Sequence, residues 1–141
     1  MTEIPPYTHT AKYYETDQMA IVHHSNYIRW FEEARVYYLT QAGFPYSKME
    51  ELGVLTPVLS AECTYRKPVR FDETVVITPA FESYNGFRMA IVYKVTDQQG
   101  ELRAEGRTTH CFVDRNMKPV RVKRDFPAIN QIFEELAAMY K

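Results

Sequence analysis

Two hydrophobic periods divide this chain. Tyr27, Trp30, Phe31, Ala34, Tyr38 and Ala42 recur at steps of three and four, the spacing that gathers side chains on one helix face. Ile28, Tyr37 and Leu39 widen that face, which predicts a long helix wrapped on more than one side. The helix starts near Tyr27, with Ser25 or Asn26 as cap, and Gly43 and Pro45 end it. From Val54 onward the period is two. Val54 to Tyr65 reads as one strand, with Pro57 marking a bulge or an edge. Val75, Ile77 and Phe81 make the next. Asn85-Gly86 is a tight-hairpin signal. After it, Phe87, Met89, Ile91, Tyr93 and Val95 alternate with polar residues. Asp97 to Gly100 turns the chain into a strand over 101–113, with Arg103, Glu105 and Arg107 on its exposed face.

The two ends complete the pattern. Tyr7 to Tyr14 reads as a first strand, and residues 15–24 as a loop before the helix. Asp125 and Pro127 open a C-terminal helix carrying Ile129, Ile132, Phe133, Leu136 and Tyr140 on one face. The order is strand, long helix, four strands, helix. Short turns between consecutive strands predict an antiparallel sheet and an α+β class.

Composition adds three points. With 141 residues and no internal repeat or linker, one domain over 1–141 is expected. Eleven Tyr and eight Phe favour a sheet-rich chain that forms an oligomer. A net charge of −1 gives no basic field for nucleic acid or a membrane surface. Cys63 and Cys111 form no CxxC pair and read as reduced thiols. No apolar run reaches membrane-spanning length, so a soluble cytoplasmic protein is the default expectation.

The candidate chemistry lies just before the long helix. Asp17 precedes a helix N-terminus by a few residues. A carboxylate can activate water or attack a carbonyl, while free amides at a helix start can hold an oxyanion. The plainer reading is an Asp that forms a turn. Glu32 and Glu33 read as first-turn helix acids or partners of Arg29 and Arg35, with Glu33 as the reserve acid. A metal at His23, His24, Glu15 and Asp17 is disfavoured, because adjacent residues in an extended segment point apart.

Asp17-Gln-Met-Ala-Ile-Val-His-His24-Ser-Asn26-Tyr27, followed by Trp30-Phe31-Glu-Glu-Ala-Arg35, resembles the hotdog-fold acyl-CoA thioesterases, in their 4-hydroxybenzoyl-CoA thioesterase-like branch. Tyr65-Arg66-Lys67-Pro68-Val69-Arg70-Phe71-Asp72-Glu73 resembles a second segment of the same family. Ala20 departs from the pattern, which often has Gly there. The resemblance implies a hotdog fold, with an antiparallel sheet wrapped around one central helix. It also implies a homodimer or homotetramer with its active site at the subunit interface, and hydrolysis of an acyl- or aryl-CoA thioester. Asp17 would be the general base or nucleophile. The backbone N–H at His24 would hold the oxyanion, and the His24 side chain could touch the substrate or order Asp17.

Tyr27 would line the acyl pocket. Arg66 and Lys67 would meet the phosphates of coenzyme A, with Arg70 and the run Lys118, Arg121, Lys123 and Arg124 as further cations. No metal or redox cofactor is implied; coenzyme A enters only as part of the substrate. Three rivals remain. One is a non-catalytic acyl-CoA binder. Another is a thioesterase acting on acyl carrier protein, docked on residues 115–124. The weakest is a hotdog hydratase, whose acid and histidine stand five residues apart where Asp17 and His24 here stand seven apart.

Overall fold

The computed structural model describes residues 3–140. Five antiparallel strands form one sheet: β1 (Tyr7–Thr10), β2 (Val58–Tyr65), β3 (Thr74–Tyr84), β4 (Arg88–Asp97) and β5 (Leu102–Cys111), in the order β1-β3-β4-β5-β2. The long helix α1 (Ser25–Gln41) packs against β1, β2 and β3. Helix α2 (Tyr46–Leu52) follows it; α3 (Val122–Asp125) and α4 (Pro127–Tyr140) close the chain, and α4 packs on β3.

The period-two reading of β4 holds from Met89 to Val95, since Met89, Ile91, Tyr93 and Val95 are all buried. Phe87 is half exposed and belongs to the turn. Across the core from β4, α1 buries Tyr27, Trp30, Phe31, Ala34 and Leu39. Phe31 stacks on Tyr93 with ring centroids 4.3 Å apart. Room for that ring comes from Gly106 on β5, where a Cβ would run into Phe31 and the Glu62 carbonyl. The helix therefore sits on the sheet as closely as it does because one strand position lacks a side chain.

Several local expectations need correction. β1 ends at Thr10, and a short 3-10 turn (Tyr13–Glu15) follows. Val54 to Tyr65 is not one strand: Leu55 makes only an isolated bridge to Val113, and β2 begins after Pro57. β2 is an edge strand, with a register shift between Val58 and Ser60. That fits a proline, which cannot donate to a ladder. Helix α1 starts at Ser25 and its capping residue, His24, makes no side-chain cap. Ser25 and Asn26 are occupied elsewhere. The Ser25 hydroxyl pairs with His23 Nδ1 at 2.9 Å, and Asn26 Nδ2 donates to the Glu15 carbonyl at 2.9 Å. Glu32 and Glu33 accordingly lie beyond the first turn.

Candidate active site

The sheet has two ends. Tyr65, Ala104 and Val95 lie at one, and Val58, His110 and Met89 at the other. The segment 17–24 and the segment after β2 meet at the first end. His23 N–H donates to the Glu15 carbonyl at 2.8 Å, Val22 N–H donates to the Val69 carbonyl at 2.8 Å, and Ile21 bridges Arg70. Between the segments is a cavity of about 290 Å³, lined by Asp17, His24, Tyr27, Tyr65, Arg66 and Lys67, with Met19, Ile21, Val22 and Pro68.

Asp17 opens a tight turn. Its N–H donates to Ile21 O at 2.9 Å, its carbonyl accepts from Ala20 N–H at 3.0 Å, and its Oδ1 accepts from Met19 N–H at 2.8 Å. The turn-forming reading of this Asp is thus correct as far as it goes. Oδ2 has no hydrogen-bond partner among the described residues and the side chain is half-buried, so a free lone pair remains at the cavity wall. Ala20 closes the turn with φ of 64°. This is the left-handed region that favours glycine, which gives the departure at Ala20 a physical meaning.

At the helix start, Asn26 N–H donates to His23 O at 3.0 Å, Tyr27 N–H to His24 O at 3.4 Å, and Ser25 N–H to His23 Nδ1 at 3.2 Å. The His24 N–H has no acceptor among the described residues. A free amide at the positive end of a helix is a donor for an anion. The His24 ring is exposed and stacks on His23, with centroids 4.1 Å apart. The expectation that the two rings point apart fails because His24 has already turned into helical geometry.

Tyr27 is buried against Trp30 and Tyr65, with centroids 4.8 and 5.0 Å away, and burial pushes its phenol up to about 12. Tyr65 went unselected in the sequence, although it opens the second family-like segment. Its hydroxyl donates to the His24 carbonyl at 3.1 Å, clamping the helix start to the end of β2. Glu15, which the sequence offers only as a member of the disfavoured metal set, lies buried beneath the site. Its carboxylate accepts from Trp30 Nε1 at 2.7 Å and Lys12 N–H at 2.8 Å, and pairs with His9 Nε2 at 2.8 Å. Burial works to raise the Glu15 carboxyl, but the bonds from His9, Lys12 and Trp30 outweigh it and hold the group below its usual range.

Arg66 and Lys67 reach the cavity and already have acidic partners. Arg66 Nε lies 3.1 Å from Glu105 and Lys67 Nζ 2.7 Å from Glu101. The later basic run is elsewhere. Residues 118–124 follow β5 at the opposite end of the sheet, where Val122 N–H donates to Gly86 O at 3.3 Å. Glu33 does not pair with Arg29 or Arg35. It accepts from Tyr7 OH at 2.9 Å and lines a separate depression with Arg29 and Tyr37.

The profile of the thioesterase-like superfamily matches residues 12–135. The chain belongs to that family. One thioesterase-like relative in Bacillus subtilis, named "Putative acyl-CoA thioesterase YneP", is 38% identical over 125 residues, which cover 88% of this chain and 91% of the relative. Among solved structures, a DHNA-CoA thioesterase from Staphylococcus aureus superposes with a TM-score of 0.89 at 32% identity, covering 95% of this chain and 91% of that one. A hypothetical protein from Aquifex aeolicus superposes with a TM-score of 0.84 at 36% identity, covering 91% and 98%. The fold of this thioesterase-like chain is the hotdog: an antiparallel sheet around one long helix.

Proposed function

We propose that this chain hydrolyses an acyl- or aryl-coenzyme A thioester to the free acid and coenzyme A. The observation that carries this reading is the meeting, at one cavity, of a carboxylate with a free oxygen and an unbonded amide at a helix start. The names of the Bacillus and Staphylococcus relatives support the thioester class.

Ionised Asp17 takes a proton from water as its oxygen attacks the thioester carbonyl, or attacks that carbon itself to form a mixed anhydride that water then opens. The carbonyl oxygen becomes an oxyanion, and the His24 N–H donates to it. The C–S bond breaks, and the sulfur leaves as thiolate and takes up a proton. Tyr27 walls the acyl side, and Arg66 and Lys67 meet phosphate. This route calls for no metal or redox cofactor.

The working unit is a homodimer or homotetramer with the cavity completed at the subunit interface. The β2 edge supports this, because Val58, Leu59 and Tyr65 are each about half exposed on a strand with an open side. Free thiols at Cys63 and Cys111 suit a cytoplasmic setting. Among the described residues, no helix is long and apolar enough to cross a membrane.

Thiol release is the deciding assay, run over short, medium, long and aromatic acyl-CoAs. Asp17→Asn keeps the size and removes the charge, and is expected to cost about 100-fold or more in kcat with the fold intact. Equal rates for wild type and Asp17→Asn would remove Asp17 from the chemistry. Binding of acyl-CoA without turnover would make the protein a binding module.

A further inference from the structure

Arg103 keeps the outward parity of β5, the face it shares with Glu105 and Arg107. Its place predicts a solvent-facing side chain, yet that side chain is only 13% exposed. It spends its donors in three directions. Nη1 donates to the Pro68 carbonyl at 2.7 Å, and Nη2 donates to Glu73 Oε2 at 2.9 Å and Asp97 Oδ2 at 3.1 Å. Its own carbonyl accepts from both Arg66 N–H, at 2.8 Å, and Lys67 N–H, at 3.0 Å. Glu73 in turn accepts from Arg70 N–H at 2.8 Å. One residue therefore fixes both ends of the segment 66–73, which forms the basic rim of the cavity.

The charges around it divide into two kinds. Glu73, Asp97 and, at 3.8 Å, Glu101 surround Arg103, so its own charge is already answered. Hydrogen bonding from Arg103 holds the Glu73 carboxyl below its usual range. The pairs Lys67–Glu101 and Arg66–Glu105 are different, with all four side chains 41–58% exposed. Exposed pairs of this kind are screened by water and contribute little, so an incoming phosphate displaces the acid at little cost. Arg103 is built to stay, while Arg66 and Lys67 are free to exchange partners.

We propose that Arg103 is a positioning residue, which holds the rim at 66–68 in the shape that lets Arg66 and Lys67 receive the phosphates of coenzyme A. This rests on the thioesterase reading above. Arg103 touches no substrate itself. Its planar fork matters, because a lysine ammonium cannot span Pro68, Glu73 and Asp97 with fixed geometry.

The test compares wild type with Arg103→Met and Arg103→Lys. Free coenzyme A binding is measured by calorimetry. Turnover is measured on one acyl group carried either by coenzyme A or by N-acetylcysteamine, which lacks the phosphates. Losing charge-assisted bonds that shape the rim is expected to weaken coenzyme A binding by about tenfold in Arg103→Met and to lower the CoA-to-cysteamine ratio of kcat/KM by about as much. The CoA loss should appear mainly in KM, with Arg103→Lys in between. If Arg103→Met fails to fold, Arg103→Lys carries the comparison with a smaller loss of the same pattern. Coenzyme A binding within twofold of wild type in the folded variants, or equal losses on both esters, overturns the role of Arg103. A wild type that neither binds coenzyme A nor cleaves either ester sinks the parent reading instead.

Discussion

At the residue scale, three side chains invite direct tests. Asp17 has one oxygen held by its own turn and one oxygen free, so charge removal should strike turnover and spare stability. Ala20 carries a left-handed backbone, with φ of 64°. That conformation costs a residue with a Cβ about 1–2 kcal/mol, and glycine gives back about 0.5–1 kcal/mol of this in chain entropy. Ala20→Gly is therefore expected to raise stability by roughly 0.5–1 kcal/mol, seen as a higher urea midpoint at constant slope. A lowered midpoint would mean that the turn is not strained. Tyr65 holds the carbonyl of the residue whose amide is free. Tyr65→Phe is expected to lower kcat by about 3–10-fold through a looser helix start. An unchanged kcat would leave that bond without a catalytic consequence.

At the element scale, the seat of α1 on the sheet is the vulnerable joint. Gly106→Ala pushes a methyl into the Phe31 ring and the neighbouring β2 backbone. Overpacking of this kind costs about 1–3 kcal/mol, and here backbone as well as side chain must move. A thermal midpoint unchanged in Gly106→Ala would show that Phe31 simply rotates away. The 66–73 segment is a second joint, since it links β2, β3 and the Asp17 turn through Val69 and Arg70.

At the scale of the whole molecule, a buried polar chain crosses the core. Arg35 Nη1 donates to Tyr93 OH at 3.1 Å, Tyr93 OH lies 2.6 Å from Thr108 Oγ1, Thr108 Oγ1 lies 2.8 Å from His110 Nε2, and His110 Nδ1 donates to the Thr56 carbonyl at 3.3 Å. Burial, helped by the nearby Arg35 charge, pushes His110 down to about 4. In the unfolded chain the ring titrates near its ordinary value of about 6.5. Its neutral form is present in both states above that pH, so it imposes no penalty there. Below it the unfolded chain binds a proton that the folded protein refuses until about pH 4, so stability falls as pH falls through that window. The loss between pH 7 and pH 5 is expected to be about 2 kcal/mol, and His110→Gln should lack that component. Parallel pH curves for the two proteins would contradict it. The open β2 edge sets the last expectation. Leu59→Asp, at an exposed position beside the register shift, should move the protein towards monomer in sedimentation and take turnover with it. Full activity in a monomer would refute a site completed between subunits.

Periodicity reaches only as far as neighbours along the chain. It was enough for α1, α4, the antiparallel strands and the turn at Asn85-Gly86, because each is a local repeat with a local stop signal. The resemblance at Asp17–Arg35 and Tyr65–Glu73 added the hotdog fold and the five candidate residues that meet at one cavity. Burial of Arg103 did not follow from alternation, since its partners at Pro68, Glu73 and Asp97 come from other segments. Nor did the roles of Glu15 and Tyr65, which depend on Trp30 of α1 and on His24, the residue that caps it. The separation of Lys118–Arg124 from the cavity was equally invisible, because charge along a sequence does not say which end of a sheet it reaches. The chain pattern determined which elements form and which residues carry charge or apolar surface. Only the tertiary structure decided which of those groups share a cavity, which cations are already answered by acids, and which amide stays free, because those are contacts between segments far apart in sequence.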